Sequence, residues 1–190
     1  MGYPLRDESP GYHHVVTRGN NKRDIYVDDA DRIVFCLTVN RVARKYGWTI
    51  LAYALMRNHY HLVISIDERG MSQGMRELNS AYARQFNARH GRINHLFGRR
   101  FWNRPLRTEA SLMNAIRYVV QNPWRAGGGA PLEGYVWTSF AATLGLALSL
   151  IRLARDEVLG LFGGTAAEAQ EEFQAFCSTA PLGLVRCQPP

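Results

Sequence analysis

Hydrophobic and polar positions along this chain follow two periods, and the switches between them predict a strand–helix–strand–strand–helix–strand–helix order. Residues 1–11 hold neither period and read as a loose arm. Tyr12 to Thr17 (Tyr-His-His-Val-Val-Thr) is a short first strand, followed by a turn carrying Arg18, Lys22 and Arg23. Asp28-Asp29-Ala30-Asp31 supplies N-cap and first-turn carboxylates for a helix running to about Lys45. On it Phe35, Val39, Val42 and Tyr46 recur at intervals of four, three and four, which is one apolar stripe, and Gly47 ends it. Trp48 to Met56 is the next strand, and Arg57-Asn58 is a tight turn into a strand from His59 to Ile66 rich in β-branched residues. Met71, Met75, Leu78, Tyr82 and Phe86 then form a second helical stripe, and Phe101 to Leu106 a last strand. Thr108-Glu109-Ala110-Ser111 opens a third helix with Leu112, Ile116, Val119 and Val120 on its apolar face, ending at Asn122 before Pro123. Beyond it, Thr143 to Phe162 and Ala166 to Cys177 read as helices suited to packing or partner contact, and the tail from Pro181 as disordered.

Charge changes this picture more than composition does. The 190 residues are 46% hydrophobic and 21% charged, ordinary for a globular domain. Lys+Arg number 23 against 16 Asp+Glu, a net +7, and every cation except Lys22 and Lys45 is arginine. Guanidinium binds phosphate bidentately, so a polyanionic partner is expected. Three cysteines with no metal-type spacing (Cys36, Cys177, Cys187) read as reduced thiols. With no signal-peptide pattern at the N-terminus and no apolar run as long as a membrane span, a cytoplasmic, nucleoid-associated protein is expected, with no membrane partner.

Candidate chemistry gathers at three places. In a strand, side chains two apart share a face, so His59 and His61 point one way and Tyr60 the other. Two imidazoles so placed can converge on one metal ion, although the pair alone is somewhat better explained by one packed ring and one solvated strand end. Between His90 and Arg107, arginines interleave with Phe97, Phe101 and Trp102, a combination suited to single-stranded nucleic acid. Arg18, Arg23, Arg89, Arg92, Arg99, Arg100 and Arg104 are the candidate DNA contacts. On the third helix Asn114, Tyr118 and Asn122 form a second, polar stripe. A positioned phenol can attack a phosphodiester if a metal polarises the phosphate, and Asn122 can add a carbonyl oxygen to the two histidines. That donor set suits Mg²⁺ or Mn²⁺ with positions open to phosphate.

Taken in order, Tyr12-His13-His14-Val15-Val16-Thr17-Arg18-Gly19-Asn20-Asn21, Leu55-Met56-Arg57-Asn58-His59-Tyr60-His61-Leu62-Val63, Tyr82-Ala83-Arg84-Gln85-Phe86-Asn87, Gly98-Arg99-Arg100-Phe101 and Arg117-Tyr118-Val119-Val120-Gln121-Asn122-Pro123 resemble the single-tyrosine HUH transposases, and most of all the REP-associated tyrosine transposases. The resemblance covers roughly residues 12–140. It implies an α+β, ferredoxin-like βαββαβα antiparallel sheet with helices on one face over residues 1–140, followed by a helical extension and tail over 141–190. It implies a metal-dependent endonuclease that nicks and rejoins single-stranded or hairpin DNA, acting as a monomer or homodimer. By position, His59 and His61 match the metal-binding pair, Tyr118 the nucleophile that forms a 5′-phosphotyrosine, and Asn122 the third ligand. Arg57, where relatives often carry a smaller residue or Pro, and Tyr60 between the histidines depart from the pattern. A rolling-circle nickase and a domesticated, non-catalytic DNA-binding protein are the alternatives.

Overall fold

In the computed structural model, which describes residues 7–98, 100–128 and 131–179, four strands form one antiparallel sheet. Strand β1 spans Gly11–Arg18, helix α1 Asp29–Tyr46, β2 Thr49–Met56, β3 His59–Ile66, α2 Ser72–Arg89, β4 Trp102–Leu106 and α3 Glu109–Val120. The spatial order is β2-β3-β1-β4, so the element order is βαββαβα, as the chemical periodicity predicts. Much of residues 1–11, the tail from Pro181 and Arg99 lie outside the described residues.

Local chemistry accounts for the helix ends. The Asp28 side chain accepts the Asp31 N–H at the start of α1, Arg44 and Lys45 fall in its last turn, and Gly47 closes it at φ 67°. Thr108 and Ser111 form a reciprocal capping box on α3. Pro123 does not stop the chain as expected. Helical turns continue through Asn122 and Pro123 into a π-helical turn at Trp124–Gly128. Proline removes one N–H from the ladder, and the Asn122 side-chain amide covers the carbonyls of Tyr118 and Val119 instead.

Helices cover both faces of the sheet, not one. Tyr60, Leu62, Ile64 and Ile66 of β3 pack with Phe35, Val39 and Val42 of α1 and with Met75, Leu78, Tyr82 and Phe86 of α2. On the other face Ala52, Ala54 and Val63 pack with Leu112, Ile116 and Val119 of α3. The reason is compositional: Ile50 to Leu55 and Tyr60 to Ile64 are buried without interruption, so neither face of the two strands can be left to water. The same second core takes in three later helices, α4 (Phe140–Thr143), α5 (Arg155–Gly160) and α6 (Ala166–Ser178), through Phe140, Val158, Phe173 and Cys177. The helix expected over Thr143 to Phe162 is therefore broken. Gly145 takes φ 76°, the Ser149 hydroxyl bonds the carbonyl and N–H of Ile151, and Leu153 bridges to Ile50 on β2.

Gly74 marks the closest approach between α2 and the sheet side. A Cβ there would stand 2.3 Å from Cζ2 of the buried Trp48 indole. In an open helix Gly→Ala gains about 1 kcal/mol. Here Gly74→Ala is expected to destabilise the fold by about 1–3 kcal/mol, because a rigid ring must move. Urea unfolding monitored by circular dichroism measures it, and a stabilised variant would contradict this packing.

Candidate active site

The pleat of β3 carries His59 and His61 onto the face covered by α3, with Tyr60 on the face covered by α1 and α2. Cross-strand partners share that face. Opposite His59 and His61 on β1 stand Arg18 and Val16, and on β2 Met56 and Ala54. Two residues before Val16 comes His14, which faces Arg104 of β4. One patch of sheet thus holds His14, Arg18, His59, His61, Trp102 and Arg104. Small side chains at Ala52 and Ala54 let α3 close over it.

Each histidine is held by its inner ring nitrogen. His59 Nδ1 lies 2.7 Å from Asn58 Oδ1. The Asn58 amide nitrogen donates to the Lys22 carbonyl at 3.0 Å, which leaves the oxygen facing His59. His59 Nδ1 must then be the donor, and its Nε2 keeps a lone pair. His61 Nδ1 lies 2.9 Å from His14 Nε2, while His61 Nε2 and His14 Nδ1 are buried without partners among the described residues. The rings of His59 and His61 are 4.9 Å apart at 75°, and those of His14 and His61 lie edge to edge, 5.1 Å apart and within 19° of one plane. Burial, helped by Arg18, pushes His59 down to about 4. Burial and then Arg104 push His14 down to about 3, and burial followed by His14, His59 and Arg18 holds His61 well below the usual imidazole range. All three rings are neutral at neutral pH, the form that ligates metal. A bare Nε2 on His59 and a buried Nε2 on His61 without a partner among the described residues fit a divalent ion.

Helix α3 brings Tyr118 onto this patch. Its ring centroid is 5.8 Å from both His14 and His61, and the Arg125 guanidinium lies 5.2 Å over its face. Although it lies on the polar stripe of α3, Tyr118 is only 6% exposed, because α3 packs against the sheet along that side too. Asn122 follows one turn later, its Nδ2 donating to the Tyr118 carbonyl at 2.8 Å, so the amide oxygen is turned away from the helix ladder. The competing phenols are elsewhere. Tyr60 donates to Asn79 Oδ1 at 2.6 Å and Tyr82 to the Ile25 carbonyl, both in the opposite core.

The predicted cations divide. Arg18 and Arg104 belong to the site's own face. Arg23 and Arg100 are exposed near one end of the sheet, where the turn after β1 meets residues 96–98 through Asn20 N–Leu96 O and Gly98 N–Arg18 O hydrogen bonds. Arg92 lies 5.5 Å over the Phe86 ring. Arg89 is engaged in the helical layer by Asp28 and the buried Asp31, which also faces His90. Arg57, set apart in the sequence as added charge beside the histidines, is paired with Asp24 at 3.0 Å. Sequence reading missed His14. Its position in Tyr-His-His gives no signal until the β1–β3 register is known.

Comparison with known proteins identifies the family and the fold. The IS200-like transposase family matches residues 9–119. A solved structure of a REP-associated tyrosine transposase bound to a REP hairpin superposes with a TM-score of 0.65 at 18% identity, covering 82% of this chain and 96% of the other. A candidate transposase from Deinococcus radiodurans R1 matches loosely, with a TM-score of 0.43, 14% identity, and 58% and 89% coverage. No curated protein sequence matches significantly. Among the described residues no helix is long and apolar enough to cross a membrane. With well over half the chain matched and the histidine strand inside the matched region, this chain belongs to the IS200-like transposase family, whose members process DNA.

Proposed function

We propose that this protein nicks and rejoins single-stranded DNA through a covalent link to Tyr118. The observations that support this reading are the pairing of His59 Nδ1 with Asn58, which leaves its Nε2 lone pair bare, and the buried Nε2 of His61, without a partner among the described residues, on the ring that lies 5.8 Å from that of Tyr118. His59, His61 and the Asn122 amide oxygen would hold Mg²⁺ or Mn²⁺. When bound, such an ion polarises a phosphoryl oxygen and offsets charge developing at phosphorus. The Tyr118 oxygen attacks phosphorus and gives up its proton. The bond from phosphorus to the 3′ oxygen breaks, and the products are a 5′-phosphotyrosine and a free 3′-hydroxyl. Attack by a 3′-hydroxyl on the phosphotyrosine reverses the step and joins strands. Tyr118 lies against histidines of its own chain, which supports action within one subunit.

The substrate reading rests on the cations around the site, half-buried Arg18 and exposed Arg23, Arg100 and Arg104, and on the hairpin bound by the similar REP-associated transposase. Arg18 and Arg104 would contact the strand at the site, with Arg23 and Arg100 flanking it, and Trp102 would offer an aromatic edge beside His14. Arg89, held by two aspartates, is left to the fold.

Three outcomes follow. Tyr118→Phe should abolish nicking and the covalent adduct on end-labelled hairpin DNA while DNA and metal binding persist. Loss of one hydroxyl should cost about 1 kcal/mol of stability. A wild-type protein that binds hairpins but forms no adduct would instead favour a non-catalytic DNA-binding protein. Cleavage surviving in Tyr118→Phe but lost in Tyr60→Phe or Tyr82→Phe would reassign the nucleophile.

His59→Ala or His61→Ala should remove most Mn²⁺ affinity by calorimetry, since each deletes one of three protein ligands. Equal affinity in either variant would place the ion elsewhere.

Hairpin affinity should fall steeply with salt, with a log–log slope near −0.7 per single-strand phosphate neutralised. Arg18→Ala with Arg104→Ala should flatten that slope by about one to two contacts. Equal affinity for perfect duplex, or a slope that does not change, counts against the assigned surface.

A further inference from the structure

His14 takes no part in the reaction above, yet it is the group against which His61 is set. We infer that His14 is a positioning residue that holds His61 in its Nδ1–H tautomer and so aims the His61 Nε2 lone pair at the metal. This rests on the metal-site reading of His59 and His61.

The 2.9 Å contact between His14 Nε2 and His61 Nδ1 needs one donor and one acceptor. If His14 donates, the His61 proton sits on Nε2 and the ring cannot ligate. If His61 donates, its Nε2 is a free lone pair and the remaining N–H sits on His14 Nδ1. Both outer nitrogens are buried without partners among the described residues, so each arrangement leaves one unmatched N–H inside. The two are therefore near balance without a ligand, and a ligand at His61 Nε2 selects the second. His59 is arranged alike, with the Asn58 amide oxygen as its acceptor. Ligating histidines as a rule donate their other N–H to such a partner, and removing it costs metal affinity. His14 is poorly placed to be a ligand itself through Nε2, which His61 occupies. Its ring is held nearly coplanar with that of His61, at 19°, by their hydrogen bond, and by edge contacts to Trp102 and Tyr118 at 84° and 65°.

The test compares Mn²⁺ affinity of the full chain by electron paramagnetic resonance in wild type, His14→Gln and His14→Leu. Glutamine can present an amide oxygen near the Nε2 position; leucine can accept nothing. His14→Leu should weaken Mn²⁺ binding roughly 10- to 100-fold, and His14→Gln should stay within a few-fold of wild type. Leucine binding as tightly as wild type, or glutamine falling as far as leucine, overturns the role. Ring ¹⁵N shifts of wild type titrated with Mg²⁺ should report protonated Nδ1 and bare Nε2 at His61, and protonated Nε2 overturns it even if His14→Leu fails to fold. His61→Ala separates the two readings. If it keeps wild-type Mn²⁺ affinity, the metal site and the role of His14 fall together. If it loses affinity while His14→Leu does not, only the role of His14 falls.

Discussion

The pleat of β3 is the constraint on which the site depends. A strand buried on both faces cannot slip by one residue without exchanging its two sets of side chains. In register, Tyr60, Leu62 and Ile64 enter the core beneath α1 and α2, and His61 and Val63 enter the layer beneath α3. A slip of one would drive His61 into an aromatic core formed by Phe35 and Tyr82 and remove Tyr60 from its bond to Asn79. Packing thus enforces the placement of the histidines, because the hydrophobic cost of the alternative is several buried side chains at about 1.5–3 kcal/mol each.

Burial then sets the chemistry. The same packing that locks the register removes water from three imidazoles, and desolvation disfavours their charged forms. Arg18 and Arg104 reinforce the effect from β1 and β4. Neutral rings held through their inner nitrogens present lone pairs in fixed directions, which suits recognition of a cation far better than a mobile, protonated cluster would. Arg18 and Arg104 share that face of the sheet. In the opposite helical layer, Asp28 and Asp31 pair with Arg89 and Glu77 with Arg41.

Helix α3 connects the site to the rest of the chain. Its buried face carries Tyr118 beside His14 and His61, and this helix and the residue that follows it also anchor the C-terminal helix. Arg117 bonds Thr179 and lies 4.3 Å over the Phe176 ring, and Gln121 donates to the carbonyls of Cys177 and Thr179. The segment after Thr143 is consequently part of the second core, where Phe140 and Phe173 stack at 5.7 Å.

Local signals were enough for the element order. Stripe spacing on α1 and α2, the carboxylates before α1, Gly47 and the Arg57-Asn58 turn each act within one turn or one pleat, so a linear sequence displays them. The common face of His59 and His61 follows from the same alternation, and the nomination of Tyr118 over Tyr60 and Tyr82 from helix and strand periodicity. Where two periods conflict with composition, as in the leucine-rich run after Thr143, a local reading failed: Gly145, Ser149 and the edge of β2 outweighed helix propensity. Only tertiary structure decided that both sheet faces are covered, that Arg89 answers to Asp28 and Asp31, and that His14 meets His61 across 47 residues of chain. Those are contacts between elements. They are set by cross-strand register and helix packing, which no spacing within one element encodes.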